Sequence, residues 1–286
     1  MGGDAVPMAE FRAAAERGVA EDLGAGDPTG AGAGVSPAAA VLVTRRPGVV
    51  AGLPGLAPVA AAVSAYQPDH EPASVQLVGA DGQTVPAGAV LARLTGPAAS
   101  LLAAERTMLN LLGHLSGVAT TTARFVAAVA GTGVVVRDTR KTTLGLRVLE
   151  KYAVRIGGGT NHRMGLGDAL LVKDNHIAAL GGLGAAVRAA RRTAPGLPLE
   201  VEVESLEQVV EALDLGCDLL LLDNMDLDTL AAAVALAAGR ARTEASGGIT
   251  VSTARTVAET GVDYLAVGAL THSAPALDIG VDWVLP

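Results

Sequence analysis

Apolar residues recur at helical spacing from Met8 to Leu23 and stop at Gly24, which predicts an opening helix. AAAVLVTR and GVVAGL then read as short strands, and Pro58 to Tyr66 as a helix. In VQLVGADGQTVPAGAVLARLTG, short apolar runs are separated by turn residues, and Asp81-Gly82 is a hairpin signal. Pro97 opens a long helical pattern whose apolar positions Leu101, Leu102, Met108, Leu109, Leu111, Leu112 and Leu115 predict a mostly buried helix. A second helix is predicted from Thr122 to Ala130.

From Gly131 the rhythm becomes strand, loop, helix, repeated. The predicted strands are VVVRDT, YAVRI, ALLVKDN, LEVEVES, LLLLDN, TEASGG and DYLAVGA. Their polar ends fall at Lys173, Glu202, Asp223, Ser246 and Gly268, in steps of 29, 21, 23 and 22 residues. Such steps fit successive βα units, and uniformly apolar strands fit a parallel sheet covered on both faces. The expected fold is α/β: an N-terminal α/β domain over residues 1–112, then a seven-stranded α/β barrel over 113–275. Residues 276–286 are expected to pack back on the first domain. An open doubly wound sheet is the alternative. In a barrel the C-terminal strand ends converge on one mouth, where active sites form.

Composition narrows the picture. Half of the 286 residues are hydrophobic but only 2% are aromatic, so the core is aliphatic. The single cysteine, Cys217, excludes an intrachain disulfide and fits a cytoplasmic setting. No basic region followed by an apolar run opens the chain, so no secretory leader is expected. The uncharged window from Pro47 to Pro68 is interrupted by prolines and glycines and reads as strand plus helix, not as a membrane span. Charge is the sharper signal. The chain carries −8, yet Arg137 to His176 holds eight Lys and Arg against four Asp and Glu. That +4 island predicts a site for a small polyanion, and the acidic remainder argues against nucleic acid.

The candidate residues sit at the strand ends. Arg140 offers a planar fork for carboxylate and Lys141 a point charge for phosphate, unless both belong to a solvated basic loop. Gly157 to Gly159 precede His162 and Arg163, which offer further donors to an anion; His162 could equally be structural. Lys173 closes an apolar strand, where a lysine needs a partner: Asp174, Glu202 or a ligand. Glu202 and Glu204 alternate with valines and predict carboxylates on one face, and Asp223 ends the next strand. These carboxylates could hold hydroxyls or Mg²⁺, or merely balance nearby cations. Ser246, Gly247 and Gly248, and then Gly268, Ala269 and Leu270, form two small-residue loops suited to a phosphate, with His272 as an added donor. His114, His176 and Glu244 are assigned to structure.

ERTMLNLLGHLSGVAT, DTRKTTLGLR, KYAVRIGGGTNHRMGLGD, KDNHI, EVEVESLEQ, LLLLDNM, EASGGI and VDYLAVGALTHS, in this order, closely resemble the quinolinate phosphoribosyltransferases. The likeness spans residues 100 to 286, and is looser before, through EDLGAGDPT and GVVAGL. The resemblance implies an N-terminal α/β sandwich on a seven-stranded barrel, a homodimer or multiple of it, and Mg²⁺. It implies transfer of phosphoribosyl from phosphoribosyl pyrophosphate to quinolinate, with loss of carbon dioxide. By position, Arg140, His162, Arg163 and Lys173 would bind the quinolinate carboxylates and Lys141 the pyrophosphate. Glu202 and Asp223 would serve the ribose and Mg²⁺, the two small-residue loops the 5′-phosphate, and Arg106 would reach the neighbouring subunit's site. One departure stands out: Leu144 precedes Gly145 where the family continues with Thr-Pro or Pro-Gly. Three rivals remain at this level: a paralogue linked to molybdenum transport, a Schiff-base aldolase using Lys173, and a non-enzymatic phosphometabolite-binding barrel.

Overall fold

The computed structural model describes residues 5–68 and 71–284, and these form two compact units. The first takes in the chain up to Ala123, Thr143–Gly158 and the C-terminal segment from Ser273; the second holds Arg124–Thr142 and Gly159–His272.

The first unit opens with helix α1 (Met8–Leu23), which buries Phe11, Ala15, Val19 and Leu23. Their spacing of four keeps one stripe facing inward. A short helix α2 (Pro28–Ala31) follows, capped by Asp27, whose carboxylate accepts from Gly30 N–H at 2.7 Å. Strand β1 (Pro37–Thr44) lies in an antiparallel sheet of order C-terminal strand, β1, β5, β3, where β3 is Ser74–Leu77, β5 is Val90–Pro97 and the C-terminal strand is Ile279–Val284. Strands β2 (Gly48–Val49) and β4 (Thr84–Val85) make a separate two-stranded ribbon. Helices α3 (Leu56–Tyr66) and α4 (Ala98–Ala128) supply further apolar faces. Leu42, Leu56, Leu91, Leu94, Met108 and Leu112 are buried in one cluster, each contributing about 2 kcal/mol through burial.

Three expectations need correction here. Asp81-Gly82 does not close a hairpin, because β3 and β4 belong to different sheets. The Asp81 carboxylate instead accepts from Gly52 N–H, Leu53 N–H and the Tyr152 hydroxyl, pinning three distant segments. The long helix does not break near Thr122; α4 continues for 31 residues. YAVRI is not a strand. It lies in helix α5 (Arg147–Ile156), where Leu149, Tyr152, Ala153 and Val154 are buried. A short apolar run does not reveal its own period, and burial within the fold decided for the helix.

The second unit carries six parallel strands: β6 (Val135–Arg137), β7 (Leu170–Val172), β8 (Leu199–Val203), β9 (Leu219–Asp223), β10 (Arg242–Ser246) and β11 (Tyr264–Ala266). Their order is β6-β11-β10-β9-β8-β7, an α/β barrel arrangement of six strands; the predicted seventh, YAVRI, is helical, and an isolated parallel bridge joins Thr160 to Arg137. Helices α6 (Asp174–Leu180) and α7 (Leu183–Thr193) follow β7, α8 (Leu206–Asp214) follows β8, and α9 (Leu227–Ala237) follows β9. Helix α10 (Val251–Ala258) follows β10, and α11 (Ala269–His272) follows β11. Ser205, Asp226 and Thr250 cap α8, α9 and α10 with side-chain oxygens, so each strand end is followed by a sharply started helix. The register sets the strand ends level: Ser246 pairs with Asp223 and Ala266, and Ala266 with Arg137.

Candidate active site

At those strand ends lies a cavity of about 480 Å³. Its cationic lining comes from Arg140 and Lys141 after β6, Arg163 after the Thr160 bridge, and Lys173 after β7, with His162 beside Arg163. Glu202, Asp223 and Ser246 supply the acidic and hydroxyl side, while Leu171, Leu221 and Ala266 give it apolar wall. Residues more than a hundred positions apart therefore share one cup.

Each charged group is held from behind. Asp138, fully buried, accepts from His162 N–H at 2.9 Å and from Asn161 Nδ2 at 2.5 Å, tying the Asn161–Arg163 segment to the end of β6. Arg163 Nη1 donates to Ala169 O at 2.9 Å, and Asp168 accepts from Met164 and Gly165 N–H, closing the loop beyond it. Burial, and then the nearby charge of Arg140, push the Arg163 guanidinium below its ordinary value. Two guanidinium groups lining one partly closed cup repel each other, against the partial offset of Glu200 and Asp168, and a bound anion would relieve that repulsion. Lys141 is fixed through its backbone: its N–H donates to Thr139 Oγ1 and its carbonyl accepts from Thr271 Oγ1.

On the acidic side, Lys173 Nζ bonds Glu202 Oε2 in an ion pair. Asp223 Oδ2 accepts from Asn224 Nδ2 at 2.7 Å. Asn224 is at φ 54°, in the left-handed region that asparagine tolerates, and its N–H donates to Ser246 O. A side chain on Gly247 would meet Asn224 Oδ1 at 2.2 Å, so the β9 and β10 ends fit only because Gly247 has no Cβ. Gly247 and Gly248 both have positive φ, a backbone form that can turn N–H groups toward an anion. Gly268 lies against His272 Nε2 and Lys141 Cδ, each 3.1 Å from where its Cβ would stand, which brings this second loop beside Lys141.

Several expectations change at this resolution of detail. Leu270 is fully buried and its N–H points to Val267 O, so it packs the loop and offers no donor to a phosphate. Glu204 does not share the cup with Glu202; it is exposed beyond the end of β8, where its N–H donates to Gln208. The carboxylate that does share the inward face is Glu200, and the LEVEV alternation already carried that signal. His162 presents neither ring nitrogen to the cup, since Nδ1 accepts from Arg163 N–H and Nε2 bonds Glu200 Oε2, both at 2.7 Å. Arg106 belongs to the first unit, where it lines a cleft of about 340 Å³ with Arg17, Asn110 and His114. His176 Nδ1 accepts from Lys173 N–H at the start of α6, and His114 Nε2 lies 2.8 Å from Glu150 Oε1.

His162, Glu200 and Glu244 bring three metal-type ligand atoms within 4.8 Å of one another. A divalent ion does not suit them: the Arg137 guanidinium holds Glu244 at 2.6 Å and His162 Nε2 is spent on Glu200. Oxygen donors of the kind a hard divalent cation takes also line the cup, on Asp223 and Glu202.

Known proteins agree along most of the chain. Residues 118–282 match the family described as quinolinate phosphoribosyl transferase, C-terminal domain, and residues 29–116 its N-terminal domain. The nicotinate-nucleotide pyrophosphorylase [carboxylating] of Mycobacterium leprae is 50% identical over 244 residues, 84% of each chain. The structure of the nicotinate-nucleotide pyrophosphorylase from Francisella tularensis superposes with a TM-score of 0.90 at 35% identity, covering 98% of both chains. That from Ehrlichia chaffeensis gives 0.88 at 36%, covering 94% of this chain and 97% of its own. With both halves matched and relatives of this identity, the chain belongs to the quinolinate phosphoribosyltransferase family.

Proposed function

We infer that this chain transfers the phosphoribosyl group of phosphoribosyl pyrophosphate to quinolinate, giving nicotinate mononucleotide, pyrophosphate and carbon dioxide in NAD biosynthesis. Family membership carries the reaction. The observation that supports the site is the gathering of Arg140, Arg163 and Lys173 around one cup. Both substrates are polyanions, and an acidic chain needs such a focus of positive charge to hold them.

In this reading Arg140, Arg163 and Lys173 bind the two carboxylates of quinolinate and turn the ring nitrogen toward the anomeric carbon. The ring lies along the apolar wall of Leu171 and Leu221. The nitrogen forms the new C–N bond as the pyrophosphate oxygen leaves. Glu202 and Asp223 hold the ribose hydroxyls and offset the positive charge that grows on the sugar, and Lys141 holds the departing pyrophosphate. Glu202 and Asp223 would hold Mg²⁺, which would supply further neutralisation of that leaving group. The bond to the 2-carboxylate then breaks, its electron pair remains on the ring beside the quaternised nitrogen, and a proton replaces the lost carbon dioxide. No protein nucleophile is required. The backbone of Ser246 to Gly248 and of Gly268 and Ala269, with His272, receives the 5′-phosphate. A homodimer in which Arg106 enters the neighbouring cup, and a cytoplasmic location, complete the reading; no described helix is long and apolar enough to cross a membrane.

The Lys173–Glu202 ion pair speaks against the aldolase alternative, because Schiff-base formation needs an amine lone pair turned toward a carbonyl. The deciding experiment supplies quinolinate, phosphoribosyl pyrophosphate and Mg²⁺ and measures nicotinate mononucleotide and carbon dioxide. Nicotinate in place of quinolinate is expected to fail, since cations placed for a second carboxylate would stay unpaired. Equal turnover of nicotinate would overturn the dicarboxylate site.

A further inference from the structure

Below the cup, the inward face of the barrel carries charge where close-packed aliphatic layers are the rule. Glu244 is wholly buried, Glu200 is 3% exposed, and one oxygen of each, Oε1, has no hydrogen-bond partner. Their other oxygens are engaged: Glu244 Oε2 accepts from Arg137 Nη1 at 2.6 Å, and Glu200 Oε2 faces His162 Nε2 at 2.7 Å. Arg137 in turn stacks on the Tyr264 ring, 4.3 Å from its centroid. Two carboxyl groups side by side in a dry interior cost stability, and apolar residues of equal volume would cost less. The chain nonetheless places them under one residue of the cup, His162.

The hydrogen bonds at His162 determine its proton. Arg163 N–H can only donate, so Nδ1, which accepts from it, is unprotonated. The ring proton therefore sits on Nε2 and is donated to Glu200. The same contact fixes the backbone of Arg163 at one end, while Ala169 O fixes its guanidinium at the other.

We infer that Arg137, Glu244, Glu200 and His162 form a buried positioning relay that holds His162 as the Nε2–H tautomer and thereby sets the Arg163 guanidinium for a substrate carboxylate. None of the four is a catalytic residue in this role, and His162 acts through Arg163 and not as an anion donor. The inference rests on the cup being the quinolinate site.

The test has a spectroscopic arm and a kinetic arm. In ¹⁵N-labelled protein without substrate, the His162 signal, assigned by its loss in His162→Asn, is expected to show a neutral ring protonated at Nε2. A ring protonated at Nδ1, or doubly protonated, near neutral pH would overturn the relay. Glu200→Met removes the acceptor, and the KM for quinolinate is expected to rise about tenfold, the worth of one hydrogen bond, while that for phosphoribosyl pyrophosphate stays put. Glu200→Gln should restore the quinolinate KM, because the amide oxygen accepts from Nε2–H and the amide nitrogen can donate to Glu244 Oε1. An unchanged quinolinate KM in the Met variant, equal rises for both substrates, or a Gln variant as impaired as Met would each sink the proposal. If Glu200→Met fails to fold, the wild-type spectrum and the Gln variant still decide. Wild-type protein inactive toward quinolinate would overturn the functional reading and with it the substrate role of the relay, whereas the spectrum is independent of turnover.

Discussion

Arg163 concentrates the trade between stability and function at single-residue scale. It is pushed below its ordinary pKa by burial and by Arg140, so the unliganded cup bears a repulsion. Arg163→Ala is therefore expected to leave the thermal midpoint level or raised, while kcat/KM for quinolinate falls roughly hundredfold or more, ~3 kcal/mol, for loss of a charged contact. Thermal melts and steady-state kinetics on one preparation check both halves; a destabilised Arg163→Ala would contradict the repulsion. Glu244 gives the matching pH signature. Its carboxyl is pushed up to about 7, first by burial and then by the charge of Glu200, against the pull of the Arg137 guanidinium. A raised folded value means stability fully present below pH 4.5, the ordinary value, and lost as the pH climbs through about 7. Glu244→Gln, which does not ionise, is expected to flatten that decline, read as Tm against pH for both proteins. Sequence exposed the cationic half of the cup because Arg and Lys at the ends of apolar strands have few structural uses. It concealed the relay for the opposite reason: Glu244 within TEASGG and Glu200 within LEVEV gave no means of weighing one buried carboxyl against another. Only the distances at His162 show which carboxylate it meets, and that its ring nitrogens are spent inside the barrel.

The βα units were legible as elements wherever pattern, polar strand end and helix cap coincided, as in LEVEVES followed by the helix that Ser205 caps. Legibility failed where the apolar period was ambiguous. YAVRI is short, β-rich and helical, and α4 runs through Gly113 and Gly117 although glycine weakens helix interiors. The glycines of α4 have a packing reason invisible in sequence. A Cβ on Gly117 would stand 2.3 Å from Pro275 O and 2.9 Å from Ala276 Cα, and one on Gly113 would stand 3.1 Å from Leu277 O. Gly113 O also accepts from Leu277 N–H, so the C-terminal segment lies directly on this helix before it pairs with β1. Gly117→Ala trades about 1 kcal/mol of helix propensity against a backbone clash. The clash is expected to win, lowering stability by about 2 kcal/mol or more, measured by urea unfolding. A Gly117→Ala protein more stable than wild type would mean that this close approach is wrong.

At the scale of the whole molecule, charge sets the demand on the cup. The chain carries −8, and its substrates are polyanions, so the cup must outweigh a repulsive surround through local cations that salt does not screen away. Within the chain those cations are Arg140, Lys141, Arg163 and Lys173, of which Lys173 is already bonded to Glu202. Arg106 is exposed on α4, in the first unit and outside this cup's lining. A two-fold dimer would make the proposed exchange reciprocal, each protomer lending its Arg106 to the other's cup. Reciprocity has a consequence that a self-contained site lacks. Arg106→Ala and Arg163→Ala proteins are each expected to be nearly inactive, yet a mixed dimer contains one cup with both defects and one with neither. Co-expression of the two variants with random pairing should restore about a quarter of wild-type activity, since half the dimers are mixed and each mixed dimer has one intact cup of two. The measurement is the specific activity of co-expressed protein against the two separately purified variants, with dimerisation verified by sedimentation. Activity no higher than the mean of the separate variants would mean that Arg106 acts within its own chain or not at all, and the shared cup would have to be abandoned.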